Sequence, residues 1–395
     1  MTLPATEVLT SLVSRVFRIE DVTAGDPAKG PQLRYRGHLL GDDSVSSYDQ
    51  LAASVNSYGL TPLFRLEKGE QVIYLVDTPP KQKAANPWVN VVLFVLTVFS
   101  VMLVGATPEG PVPANLGGQL LAMLKSIFTG WPFALSMMGI LVSHEFGHYL
   151  MSRYHKTPAT LPYFIPLPIS PLGTMGAAIL MKGIPKNKRI LFDIGVAGPL
   201  AGMIIAIPVL FLGLKMSSLD TITASAGSFI EGNSLLYLLA KFMVFGKLLP
   251  QPATYGSLSP FLYWVRYFFT GMPSPVGGMD VFISPVAFAG WAGLLVTALN
   301  LVPAGTLDGG HVVHSLFGDK AKKAFPFLIV IMVALGFVWS GWWLWALLLF
   351  WLGRVNAETL DQITPLDPKR RLVAVLVIVL FVLVFTPVPF ALLGA

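Results

Sequence analysis

Ser143 to Leu150 reads Ser-His-Glu-Phe-Gly-His-Tyr-Leu, two imidazoles and a carboxylate set in an otherwise apolar run. On a helix, residues four apart lie one turn above the other on a shared face, so His144 and His148 converge while Glu145 sits beside them. This HExxH spacing suits one divalent metal held by two imidazoles, with a carboxylate within reach of water at the ion. Zinc in such a site makes water nucleophilic near neutral pH, and Glu145 can take the proton and pass it to a leaving amine. The chemistry implied is hydrolysis of a peptide bond. The competing reading is a histidine pair that only hydrogen-bonds neighbouring helices. Against it, the chain has just 6 histidines, and two of them fall at this spacing around a glutamate.

Zinc with two histidines normally takes a third protein ligand and leaves the fourth position to water. Asp308 is the candidate, because it ends an apolar run next to Gly309 and Gly310, where an unpaired carboxylate is costly. Asp193, Asp280 and His311 compete for the role. Asp193 adjoins a basic loop and Asp280 a polar turn, so both read as surface groups. His311 and His314 read as neighbours of the site or as interfacial residues, and His155, among charges, as interfacial.

The elements that must position these groups belong to a membrane protein. Apolar residues are 54% of the 395 and charged residues 12%, which predicts a multi-span α-helical membrane protein with about 6–8 transmembrane helices. There are no cysteines, so disulfides and thiolate ligands are excluded. The net charge of +6 is no nucleic-acid footprint, since the basic residues cluster beside apolar runs as topology signals. Met1 to Val22 has no apolar core and predicts no signal peptide.

Three regions follow. Residues 1–82 predict a small soluble α+β domain: a helix over Val45 to Tyr58, strands over Arg34 to Leu40, Thr61 to Leu66 and Gln71 to Val76, and a helix or strand in the first twenty residues. Lys81 and Lys83 mark its boundary. Residues 88–320 hold the core, with spans over Trp88 to Ala106, Trp131 to Tyr154, Phe192 to Leu214 and Val281 to Val302. Residues 324–395 supply C-terminal transmembrane helices: Ala324 to Gly353, as one long helix or a hairpin broken at Ser340-Gly341, then Leu372 to Leu393. Lys215 to Asp280 shows no clear strand pattern, and Lys241 and Arg266 interrupt its apolar pieces. Between Thr157 and Met181, prolines at 158, 162, 166, 168 and 171 forbid a regular helix in an almost uncharged stretch. Such chain is tolerated at membrane depth only where it is buried or lines a cavity. A hairpin or edge strand dipping toward the active site is expected, with Gly173 to Leu180 offering substrate a strand edge.

His144-Glu145-Phe146-Gly147-His148 in one span, with Asn300-x-x-Pro303 and Leu307-Asp308-Gly309-Gly310 in a later one, resembles the site-2 protease family of intramembrane zinc metalloproteases. The soluble N-terminal module and the lack of a PDZ-like insertion bring the resemblance closest to the EGY-like branch. It implies that His144, His148 and Asp308 bind one Zn²⁺ per chain, that Glu145 is the catalytic base and that Asn300 lies near the site. Gly173, Gly176 and Ala177 resemble a membrane-embedded loop that holds substrate as an added strand.

The function expected is cleavage of transmembrane segments of membrane-anchored proteins, with a transmembrane protein as substrate and the lipid bilayer as setting. A catalytically silent scaffold or chaperone, or a transporter on the same fold, is the alternative. Lys182, Lys186, Lys188 and Arg189 put their side in the cytoplasm. The expected location is the plasma membrane of a prokaryote, with the N-terminal domain and the active-site side cytoplasmic; a thylakoid or plastid membrane is the other option.

Overall fold

The computed structural model describes residues 6–24, 33–80, 85–108, 110, 115–223, 229–318, 320–353 and 358–392. Lys81, Lys83 and Arg354 lie outside the described residues. The amino-terminal unit runs α1 (Thr6–Val13), β1 (Phe17–Ala24), β2 (Leu33–Leu39), α2 (Ser44–Asn56), β3 (Leu60–Glu67) and β4 (Glu70–Asp77). Of the first twenty residues, the described ones from Thr6 on make a helix and then the start of a strand. The four strands form an antiparallel sheet in the order β1-β2-β4-β3. Along β3, Leu60, Pro62 and Phe64 alternate inward, as a strand with one covered face requires. Leu60 and Phe64 meet Leu9 and Val13 of α1 and Leu51 and Val55 of α2 in one core.

The β3 edge of this sheet is covered rather than open. Phe64 donates its N–H to the Leu360 carbonyl (2.9 Å) and accepts from the N–H of Gln362 (3.0 Å). The Arg65 guanidinium donates to the carbonyls of Thr359 and Leu360, both at 3.0 Å. Leu360 and Asp361 in turn donate to the carbonyls of Pro185 and Lys186. The segment from Thr359 to Gln362 therefore joins the amino-terminal sheet to the chain just ahead of a long apolar helix.

The apolar part begins with α3 (Pro87–Val104), α4 (Leu116–Lys125) and α5 (Trp131–Tyr154), followed by the hairpin strands β5 (Tyr163–Pro166) and β6 (Thr174–Ala178) and by α6 (Lys188–Lys215). Three helical stretches among the described residues are long and apolar enough to cross a membrane: Pro87–Val104, Ile127–Tyr154 and Lys188–Lys215. Then come β7 (Ser218–Thr221), β8 (Phe229–Glu231), α7 (Leu235–Phe245), α8 (Pro260–Thr270), β9 (Met279–Phe282), α9 (Pro285–Asn300) and α10 (Asp308–Phe317). The chain closes with α11 (Lys320–Gly336), α12 (Gly341–Leu352), α13 (Pro368–Val384) and β10 (Phe390–Leu392). Leu141 of α5, Met203, Ala206 and Leu210 of α6, and Trp291, Leu294 and Leu295 of α9 form the central core.

Several expectations are corrected here. The stretch from 215 to 280 contains strands after all, because β7 pairs with β9 and β8 with the distant β10, pairings no local pattern announces. Lys241, read as an interruption, is fully buried, its ammonium 3.5 Å from the Asp280 carboxylate and 4.5 Å from the Tyr237 ring centre. Asp280 is thus no surface group; it neutralises a buried cation. Asp193 is no free surface group either: it takes a bidentate pair from Arg370 (2.6 and 2.7 Å) and contacts the His155 imidazole at 2.9 Å. Of the two readings open for residues 324 to 353, the hairpin is the one found, as α11 and α12. The last helix stops at Val384, short of Leu393, because Pro387 and Pro389 cannot extend it.

Candidate metal centre and cleft

Pro132 sits in the first turn of α5, where its missing N–H costs nothing. Three turns on, the helix presents His144, Glu145 and His148, all buried. α9 ends at Asn300, a turn follows, and α10 starts at Asp308, whose carboxylate stands at the positive end of the helix dipole. The imidazole Nε2 atoms of His144 and His148 are 3.2 Å apart, and each is 3.3 Å from an oxygen of Asp308. The Asn300 amide nitrogen is 3.3 Å from His144 Nε2.

The close approach of α6 makes room for this. A Cβ on Gly198 would stand 2.0 Å from His148 Nε2, and one on Gly202 would stand 3.2 Å from His144 Cβ. From the same helix the Ile194 carbonyl meets His148 Nδ1 at 2.7 Å. A carbonyl only accepts, so Nδ1 carries the proton and Nε2 offers a lone pair.

A lone pair and a carboxylate thus converge with a second imidazole in a buried space, an arrangement a cation stabilises. A tetrahedral ion with ligand bonds of about 2.0–2.1 Å holds its donor atoms roughly 3.3 Å apart, the spacing found here. The donor set fits zinc. Among the described residues this is the one group of three or more His, Cys, Asp or Glu side chains close enough to share an ion.

Two cavities meet at the cluster. The larger, about 450 Å³, is lined by His144, Glu145, His148, Asn300 and Asp308, and by Ala177 to Met181. The smaller, about 220 Å³, shares His144, Glu145, Asn300 and Ala177, and continues past Leu172 to Gly176 of the hairpin. In that hairpin Tyr163 pairs with Ala178 and Ile165 with Gly176. Of the residues singled out in the sequence, His144, Glu145, His148, Asn300, Asp308, Gly176 and Ala177 come together around the cleft, and His311 lines the larger cavity. Gly173 does something else: it is pressed on α3 beside Val101, and its carbonyl accepts from the Ser100 hydroxyl at 2.6 Å. Asp193 and Asp280 lie in the ion pairs already described.

Sequence reasoning missed the Ile194 carbonyl, which no side-chain pattern reveals. It also missed Met137 and Trp345, which line the smaller cavity yet read as ordinary apolar residues of spans, and Leu172, an ordinary apolar residue of the proline-rich stretch.

Residues 132–339 match the model of Peptidase family M50. A probable zinc metalloprotease EGY1, chloroplastic, of Oryza sativa subsp. japonica is 30% identical over 321 residues, covering 76% of this chain and 50% of the relative. The probable zinc metalloprotease EGY2, chloroplastic, of Arabidopsis thaliana is 27% identical over 400 residues, covering 98% of this chain and 66% of the relative. The chain thus spans between half and two thirds of the length of these curated relatives. No solved structure matches it.

Proposed function

The chain belongs to peptidase family M50, and from that premise we propose that it is a zinc metalloendopeptidase of the EGY-like branch that cuts transmembrane segments of other membrane proteins. The observation that carries the reading is the convergence of His144, His148 and Asp308 at donor spacings that suit one tetrahedral ion. These three residues would hold the metal. When bound, zinc supplies Lewis-acid activation of water and of the scissile carbonyl.

The protein's own groups do the rest. Glu145 lines both cavities; it takes the proton of the attacking water and delivers it to the leaving nitrogen, which needs a carboxylate within hydrogen-bond reach of each. Ile194 fixes the His148 tautomer, and Asn300 offers an N–H toward the same point. Ala177 and its neighbours border the cleft as part of a strand, so a substrate unwound from its helix can replace lost backbone bonds by pairing alongside.

The three long apolar helices carry the membrane location. We read α9, α11, α12 and α13 as further crossings, to give about six to eight in all. The relatives are chloroplastic by name, which favours a thylakoid or plastid-type membrane; the prokaryotic plasma membrane expected from the sequence finds no support among them.

The test uses the full-length protein in proteoliposomes with a single-span substrate. Wild type should carry one zinc and cut. Glu145→Gln should keep the zinc and lose at least about a hundredfold in rate, the contribution of general-base catalysis. Cutting by Glu145→Gln at the wild-type rate, or a protein that binds no zinc, would overturn the reading.

A further inference from the structure

The smaller cavity supports a statement about which substrates are cut, and it rests on the protease reading above. Its apolar lining includes Met137 and Leu141 of α5, Leu172 before β6, Val296 and Leu299 of α9 and Trp345 of α12. Met137 and Leu141 are buried, and Trp345 is half-buried. Its polar lining is His144, Glu145, Thr174 and Asn300, and of these His144, Glu145 and Asn300 also line the larger cavity. The hairpin chain borders the larger cavity from Ala177 to Met181 and the smaller at Leu172 and from Thr174 to Ala177. The cleft therefore follows the hairpin, with the proposed reaction centre among the residues that the two cavities share and a mostly apolar side pocket next to it.

A chain lying extended beside β6 sends alternate side chains to opposite faces. One side chain next to the scissile bond then points into this side pocket. An apolar cavity of about 150 Å³ accommodates benzene, so 220 Å³ holds a leucine or phenylalanine side chain with little space left. An aspartate side chain would lose its water beside the Glu145 carboxylate, and alanine would leave most of the volume empty.

We propose that this cavity is the specificity pocket of the protease: it selects a large apolar residue at one fixed position beside the cut, and Trp345 and Val296 set its size. Val296 is a half-buried wall residue of α9. Neither residue is placed in the metal or proton-transfer machinery.

The experiment varies each position flanking the cut of a single-span substrate through Gly, Ala, Leu, Phe, Trp and Asp, with cleavage by the zinc-loaded full chain as one readout. The second readout is binding of the same substrates to Glu145→Gln protein, by anisotropy. At one position Leu and Phe should exceed Ala and Asp by tenfold or more in kcat/KM, the scale of pocket discrimination by a few methylenes. Val296→Phe should shift that preference toward Ala, and Trp345→Ala should shift it toward Trp, with zinc content unchanged in both. If cleavage persists but the preference is the same in wild type and in either variant that retains zinc, or if Asp is accepted as well as Leu at every position, the pocket assignment is overturned. If wild type cuts no member of the series, the protease reading falls first and this one with it.

Discussion

Gly198 shows how narrowly the centre is built. Its Cα faces His148 so closely that an added methyl would stand 2.0 Å from the Nε2 atom, far inside any contact distance, and the other side of His148 is closed by α5 itself. Gly198→Ala must push the imidazole off the Ile194 carbonyl or push α6 away from α5. We expect zinc content to fall at least tenfold with a stability loss of about 1–3 kcal/mol, the ordinary cost of overpacking; full zinc occupancy in that variant would contradict the geometry. His144, Glu145 and His148 were legible because chemistry demands their spacing on one helix. Asp308 was legible from the cost of a lone carboxylate at the end of an apolar run. The role of Gly198 was half legible: Gly195, Gly198 and Gly202 in one apolar run let another helix approach closely, without saying that the neighbour is a histidine ring.

At the scale of elements, the five prolines between 158 and 171 and the run after them make a hairpin that carries one wall of the cleft. Proline at Ala177 or at Ala178 removes one backbone N–H. Successive N–H groups of a strand point to opposite edges, so one variant breaks the pairing with β5 and the other removes a donor from the free edge. We expect the free-edge variant to keep zinc and the folded hairpin while cleavage drops severalfold or more; equal, undiminished cleavage by both variants would show that substrate does not pair there. The buried pair on α7 and β9 makes a different prediction. Lys241→Ala strands the Asp280 carboxylate in a low-dielectric site and should cost about 3–5 kcal/mol, read as loss of thermal stability. Replacing both partners with apolar residues of similar size should recover most of it. Neither partner's burial was readable, since a lysine in an apolar run looks the same whether it reaches water or a carboxylate two elements away.

For the whole molecule, the segment around Leu360 fastens the amino-terminal sheet to the apolar part, and Arg65 of β3 grips it, donating to carbonyls of Thr359 and Leu360 and facing Glu358. Arg65→Ala should leave the sheet folded but speed proteolysis near residues 358 to 362, measured by limited digestion; an unchanged digestion rate would mean that the backbone pairing alone suffices. The sheet, its α2 helix and three of its strands were readable from alternation and turn residues. Its attachment was not, because alternation describes each strand's faces and says nothing of what covers an edge. Arg65 and Leu360 are 295 residues apart in the chain. At about 5–20 residues per second of synthesis, the partner segment emerges roughly 15 to 60 seconds after β3 is made. During that interval the newborn sheet has a bare edge of backbone donors and acceptors, open to strand addition by any neighbour. Biogenesis therefore has a vulnerable window that ends only when the ribosome has passed residue 362 and the α11–α12 hairpin has been threaded. A ribosome stalled before that point should yield an aggregation-prone nascent chain, even though its metal ligands have all been translated.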